Sequence, residues 1–251
     1  MRLAGKTCII TGGGSGFGVG IAELFAAEGA ELVLADIDGA AAQRVAEGLR
    51  AQGAKARGIA ADVTRDDDTA RMVACALEGS GRLDVLVNNA GVSHWNQPLT
   101  EVSEADFDRV YAVNVKSLYW AARHAVPVMA AQGGGSIINT ASTAGIRPRP
   151  GLCWYNGSKG ACILVSKSMA IELAPKKIRV NALCPVAGET PLLGHFIGGD
   201  TPENRARFLG TVPLGRLSTP LDVARAALWL ASDEAEFITG VALEIDGGRC
   251  I

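Results

Sequence analysis

The chain alternates short runs of apolar, β-branched residues with longer segments whose apolar positions recur at helical spacing. Residues 6–11, 31–36, 54–61, 83–88, 135–142, 178–184 and 242–246 read as strands. Between them, 17–28, 40–52, 66–79, 103–131, 153–173 and 220–231 read as helices, with 103–131 as one long helix. Strands and helices in strict alternation predict an α/β fold of the Rossmann-type, doubly wound kind: a seven-stranded parallel sheet with helices on both faces. Ligands of such folds bind beyond the carboxyl ends of the strands. The rhythm breaks at 186–217, which is rich in Gly and Pro and longer than an ordinary connection, and a substrate lid is expected there.

With 251 residues, 48% of them hydrophobic, the chain can bury a large core, and a single dinucleotide-binding and catalytic domain over 1–251 is expected. The net charge of −2 and a pI near 6.0 argue against a nucleic-acid partner, which calls for a basic patch. No signal-peptide core and no membrane-length apolar run is visible, so the expectation is a soluble, cytoplasmic protein without a membrane partner. The six cysteines form no C-x-x-C pair and the histidines do not cluster, so no metal site and no disulfide framework is expected.

Thr11-Gly12-Gly13-Gly14-Ser15-Gly16-Phe17-Gly18 joins the first strand to the first helix. Glycines there let the backbone approach a pyrophosphate, and the helix terminus presents unpaired N–H groups. Asp36 ends the second strand, where an acidic residue can accept from both ribose hydroxyls and repels a 2′-phosphate; it can also cap the next helix, as can Asp38. Further on, Tyr155 and Lys159 stand four residues apart, on one face of a predicted helix. A nearby ammonium favours phenolate and brings a phenol towards the range useful for acid–base work. Ser142, at a strand's carboxyl end, is placed for a loop to bring its hydroxyl to the same carbonyl oxygen.

The set Thr11-Gly-x-x-x-Gly16-x-Gly18, Asp62-Val63, Asn88-Asn89-Ala90-Gly91, Asn114, Ser142, Tyr155-x-x-x-Lys159 and Asn181…Pro185 resembles the short-chain dehydrogenase/reductase family over nearly the whole chain. The resemblance implies Tyr155 as general acid/base and Lys159 as the group that lowers its pKa and holds the nicotinamide ribose. It also implies Ser142 as orienter of the substrate oxygen and Asn114 as holder of a water that links Lys159 to solvent. Cofactor contacts are implied for Gly12, Gly14, Ser15, Gly16, Phe17, Gly18, Asp36, Ile37, Asp62, Val63, Asn88, Ala90, Gly91, Tyr155, Lys159, Pro185, Val186, Gly188 and Thr190. Asn88 has a second reading, as a tie between strands. Ser15 with Asp36 points to NAD. In the family pattern Asn-x-x-x-Pro-Gly-x-(Ile/Val)-x-Thr this chain departs twice, with Val186 for Gly and Gly188 for the aliphatic residue, which leaves the path of the lid open.

The implied activity is hydride transfer between NAD(H) and a secondary alcohol or ketone. The alternatives are a 3-oxoacyl-thioester reductase using NADPH and, in another class, a non-catalytic dinucleotide-binding regulatory protein. Small and apolar residues on more than one face of 103–131 and 153–173 suggest, with the resemblance, a homotetramer. Loops expected to rim the substrate pocket carry His94, Trp95, Arg147, Arg149 and Trp154. Aromatic walls suit a bulky body and Arg147 suits an acidic group. Against this, Arg147-Pro148-Arg149-Pro150 also reads as a solvated turn, and Trp154 as core packing.

Overall fold

The computed structural model describes residues 1–251. Seven strands form one sheet: β1 (Thr7–Thr11), β2 (Glu31–Asp36), β3 (Lys55–Ala60), β4 (Val85–Asn88), β5 (Gly135–Thr140), β6 (Ile178–Pro185) and β7 (Ala242–Ile245). Their order is β3-β2-β1-β4-β5-β6-β7 and every pairing is parallel. The helices are α1 (Gly16–Ala27), α2 (Gly39–Ala51), α3 (Asp66–Ser80), α4 (Glu104–Tyr111), α5 (Ser117–Ala131), α6 (Cys153–Leu173), α7 (Leu193–Ile197), α8 (Pro202–Leu209) and α9 (Pro220–Ala231).

The continuous apolar runs of the strands follow from having helices on both sides. In β1, Cys8 and Ile10 join a core with Leu32, Leu34, Val87, Ile21 of α1 and Leu228 of α9. Ile9, pointing the other way, joins a second core with Val33, Leu86, Ile137, Met72 of α3 and Met129 of α5. Each fully buried side chain of this size contributes about 1.5–3 kcal/mol, so a polar substitution in either register costs one layer its seal. The chain winds from β1 outward to β3, then returns to place β4 on the other flank of β1. That reversal opens a crevice at the carboxyl ends of β1 and β4.

Two segments differ from the sequence expectation. The stretch 103–131 is α4 and α5 joined by a π turn, Ala112–Lys116. Asn114 lies in that turn, and its side chain accepts from Val92 N (2.9 Å) and donates to Val92 O (2.9 Å) and Ser158 Oγ (3.0 Å). One inserted residue leaves the apolar period almost intact, so the sequence reads as unbroken, yet it turns Asn114 towards the loop after β4. The segment 186–217 is also not a bare loop. It carries α7 and α8, the latter begun by Thr201, whose hydroxyl accepts from Asn204 N (3.2 Å), with Pro202 in the first turn. Val186, Ala187, Leu193, Ile197, Phe208, Val212 and Leu217 give this segment its own apolar cluster. No helix is long and apolar enough to cross a membrane.

Candidate active site

The turn after β1 is pinned to the end of β4. Thr11 Oγ1 accepts from Asn89 N (2.9 Å) and Ala90 N (3.0 Å), and Asn89 Nδ2 donates to Thr11 O (3.0 Å). Helix α1 then starts in the cleft, where Ser15, Gly16 and Phe17 form the lining with Gly12, Ala90 and Gly91. Ser15 makes no side-chain cap, so the first N–H groups of α1 remain free for an anion. Asp36 stands beside this turn, with Oδ2 accepting from Gly14 N (2.9 Å) and Oδ1 from Asp38 N (3.0 Å). Each oxygen keeps a second lone pair, and the two backbone bonds fix the orientation of the carboxylate beside the turn. Asp38, not Asp36, caps α2, through Ala41 N at 2.9 Å.

At the other end of the cleft, Tyr155 and Lys159 lie on the inward face of α6, both buried. Lys159 Nζ donates to Thr140 O (2.8 Å) and stands 5.9 Å from the centre of the Tyr155 ring. Ser142 Oγ accepts from Ala144 N (3.1 Å), which holds the hydroxyl and leaves its proton free to donate. The expected depression of the phenol by Lys159 is not what this geometry gives. Burial pushes Tyr155 up to about 12, and the groups that pull against it are Ser142 and Arg149. Burial likewise lowers Lys159, in a site with no carboxylate beside the ammonium.

One cleft thus gathers Gly12, Ser15, Gly16, Phe17, Ala90, Gly91, Ser142, Tyr155, Lys159, Pro185, Val186, Gly188 and Thr190. Asn114 backs it through Val92 and Ser158, and its amide is committed to those two partners. Asp62 lies at the end of β3 and accepts from Thr64 N and Oγ1 (2.9 and 2.7 Å), with Val63 beside it; Ile37 is exposed beyond Asp36. Asn88 is a strand tie: its Nδ2 donates to Asn139 Oδ1 (2.8 Å), and Asn139 in turn donates to Ser166 (2.9 Å). The departure at Gly188 has a local reason. A Cβ there would sit 2.6 Å from Phe17 Cζ and from Ser218 Oγ, so the Phe17 ring occupies the space of an aliphatic side chain. Val186 is buried in the apolar cluster of 186–217, and its N–H donates to Ile245 O (3.1 Å).

Of the five residues expected on the rim of the substrate pocket, Arg149 lines the cleft and the other four do not. Arg147 is exposed and donates to the carbonyls of Arg249 and Ile251. Trp154 is turned outward, its Nε1 on Leu99 O (3.1 Å) and its ring edge-on to Phe107. His94 is buried at the start of α6, where Nε2 accepts from Tyr155 N (3.4 Å) and Nδ1 meets Trp95 O (2.7 Å), which makes it a helix-terminus partner. Trp95 is half exposed and packs edge-on against His195 (4.2 Å). Beside Arg149 the lining includes Val92, Thr140, Leu192 and Phe196. Thr140 Oγ1 is buried there without a hydrogen-bond partner in the protein.

These features fit a nicotinamide dinucleotide: a glycine-rich turn, an open helix N-terminus, a carboxylate fixed beside the turn with acceptor capacity to spare, and a partnerless hydroxyl on the cleft-lining Thr140. Known proteins agree with the fold. A family model described as enoyl-(acyl carrier protein) reductase matches residues 12–249. The 4-formylbenzenesulfonate dehydrogenase of Comamonas testosteroni is 49% identical, the match covering 100% of both chains. The 2-(S)-hydroxypropyl-CoM dehydrogenase 3 of Xanthobacter autotrophicus is 39% identical over 98% of this chain and 97% of its own. The crystal structure of 3-ketoacyl-(acyl-carrier-protein) reductase from Brucella melitensis complexed with NADH superposes with a TM-score of 0.92 at 47% identity, covering 99% of this chain and 100% of that one. The chain belongs to the short-chain dehydrogenase/reductase family and is an oxidoreductase.

Proposed function

We propose that the protein transfers hydride between NAD(H) and a secondary alcohol or ketone, with Tyr155 as acid–base group, Lys159 and Asn114 supporting it and Ser142 orienting the reacting oxygen. The observation that carries this reading is the convergence of Ser142, Tyr155 and Lys159 in the cleft that begins at the glycine-rich turn. The dinucleotide supplies the hydride acceptor or donor. The protein's share is to aim the two hydroxyls at one oxygen, where charge develops as the carbon gains or loses hydride. Gly12, Gly14, Ser15, Gly16, Phe17 and Gly18 hold the pyrophosphate side, Asp36 and Ile37 the adenosine ribose, and Asp62 and Val63 the adenine. Ala90, Gly91, Pro185, Val186, Gly188 and Thr190 hold the nicotinamide side, and Asn88 acts through the sheet.

The named relatives support small-molecule dehydrogenation, and the first of them acts, by its name, on a sulfonated aromatic aldehyde. The Brucella melitensis structure is described as a 3-ketoacyl-(acyl-carrier-protein) reductase bound to NADH, so a 3-oxoacyl thioester belongs among the substrates to be tested. The cofactor is NAD(H). The fixed Asp36 carboxylate repels a 2′-phosphate, and Asp36→Ala should narrow the preference for NAD over NADP at least about tenfold in kcat/KM. A wild type using both cofactors equally would contradict the assignment.

The whole chain, 1–251, works as one domain with 186–217 as its lid, in the cytoplasm. It works as a homotetramer. Tyr119, Leu164 and Ile171 stand exposed on α5 and α6 (54%, 66% and 80%), more apolar surface than a solvated helix pair carries, and a two-fold axis would cover it. Light scattering at micromolar concentration should give four chains per particle; a monomeric mass would refute the arrangement.

A further inference from the structure

Arg149 shares the cleft with Ser142, Tyr155 and Lys159, and its guanidinium has no acceptor in the protein. Most of the other arginines in ordered contacts are matched: Arg71, Arg82, Arg109, Arg205 and Arg216 to carboxylates, Arg147 to main-chain carbonyls. Around Arg149 there are rings and a second cation instead. Its Cζ lies 5.8 Å from the centre of Phe196 and 5.1 Å from Phe208, and Arg249 Cζ lies 5.3 Å from the same Phe208 ring. The nearest carboxylate to Arg249 in sequence, Asp246, spends its oxygens on Gly248 N (2.9 Å) and Cys250 N (2.7 Å).

Two guanidiniums beside one ring, neither held in an ion pair, are costly to keep. The strain shows in Arg149, which burial, with Arg249 adding to it, brings down to about 10. An anion entering this end of the cleft removes the cost and gains paired, charge-assisted hydrogen bonds. The distance to the chemistry is set by Phe196, whose ring centre is 5.1 Å from that of Tyr155 and which also faces Arg149. A flat body resting on Phe196 reaches the phenol with one end and the guanidinium with the other.

We propose that Arg149, backed by Arg249, is the anion-recognition end of the substrate cleft, and that the alcohol or ketone taken here carries a carboxylate or sulfonate across one ring, or a chain of similar span, from the reacting carbon. The proposal rests on the hydride-transfer reading above and refines its substrate class.

The test compares 4-acetylbenzoate, 4-acetylbenzenesulfonate and the neutral methyl 4-acetylbenzoate, by initial rates with NADH and by calorimetric titration of the enzyme–NADH complex. Wild type should favour the anions over the ester by about ten- to a hundredfold in kcat/KM and in affinity, the worth of a charge-assisted pair. Arg149→Gln should lower that ratio at least tenfold and Arg249→Gln by a smaller factor, whereas Arg147→Gln should keep it within about twofold. Turnover of all three without charge preference, or equal loss of the ratio in Arg147→Gln, overturns the proposal. Should none turn over, the hydride-transfer reading fails for this class, and the titration still decides the clamp: tighter binding of the anions that is lost in Arg149→Gln upholds it, and equal binding of anion and ester overturns it.

Discussion

Tyr155→Phe should cut kcat/KM at least about 10²-fold in both directions while leaving the Kd for NADH within about threefold, because positioned acid–base catalysis is typically worth 10²–10⁴-fold. The substitution keeps the buried ring against Phe196 and removes only the hydroxyl, so the packing of α6 should survive. The pH dependence carries the sign. Oxidation needs the phenolate, and burial holds the phenol up near 12, so the oxidation rate should rise with pH, approaching tenfold per unit wherever the group is still protonated. Reduction needs the phenol and should fall only where it ionises. Both limbs should vanish in the variant. A variant that keeps more than about a tenth of the rate, or the wild-type slope of the oxidation profile, would remove Tyr155 from the proton transfer.

What the sequence made legible was whatever depends on spacing along one element. The pair Tyr155–Lys159 is set by a helical repeat, and the glycine-rich turn by one strand-to-helix junction, so both stand where the pattern places them. The sheet was legible for the same reason, since each strand is a self-contained apolar run. The substrate end depended on long-range contacts. In Arg147-Pro148-Arg149-Pro150, which arginine faces inward is decided by the carboxyl-terminal carbonyls that Arg147 binds, 102 and 104 positions away. Trp154 precedes an inward-facing Tyr155, and on a helix of 3.6 residues per turn its neighbour is swung about 100° away. Phe196 lies in α7, five residues long, too short to show a period. Gly188 looked like a defect in the family pattern until Phe17, from the far end of the chain, was seen to fill its space.

Gly18→Ala should abolish tight cofactor binding, raising the Kd for NADH at least about a hundredfold, and should cost about 1–3 kcal/mol of stability through overpacking. A Cβ on Gly18 would sit 2.0 Å from Gly12 O, 2.8 Å from Gly12 C and 2.9 Å from Asn89 Nδ2. Carbon atoms gain contact energy only near 3.5–4.0 Å, so the first two distances are collisions. The atoms struck are mainly backbone, which cannot rotate aside as a side-chain end does. Either the first turn of α1 or the Gly12 peptide must move. Moving Gly12 pulls on Thr11 and Asn89, the bonds that tie this turn to β4, and moving α1 withdraws the N–H groups at its start. Both routes spoil the pyrophosphate side while leaving Tyr155 and Ser142 in place. Gly48 of α2 gives the control: nothing lies within 4 Å of its Cβ position, so alanine there should stabilise the fold by about 0.5–1 kcal/mol and leave NADH binding alone. Fluorescence titration with NADH and thermal unfolding of the two variants read both effects, and wild-type affinity in Gly18→Ala would show that the pyrophosphate is held somewhere other than this turn.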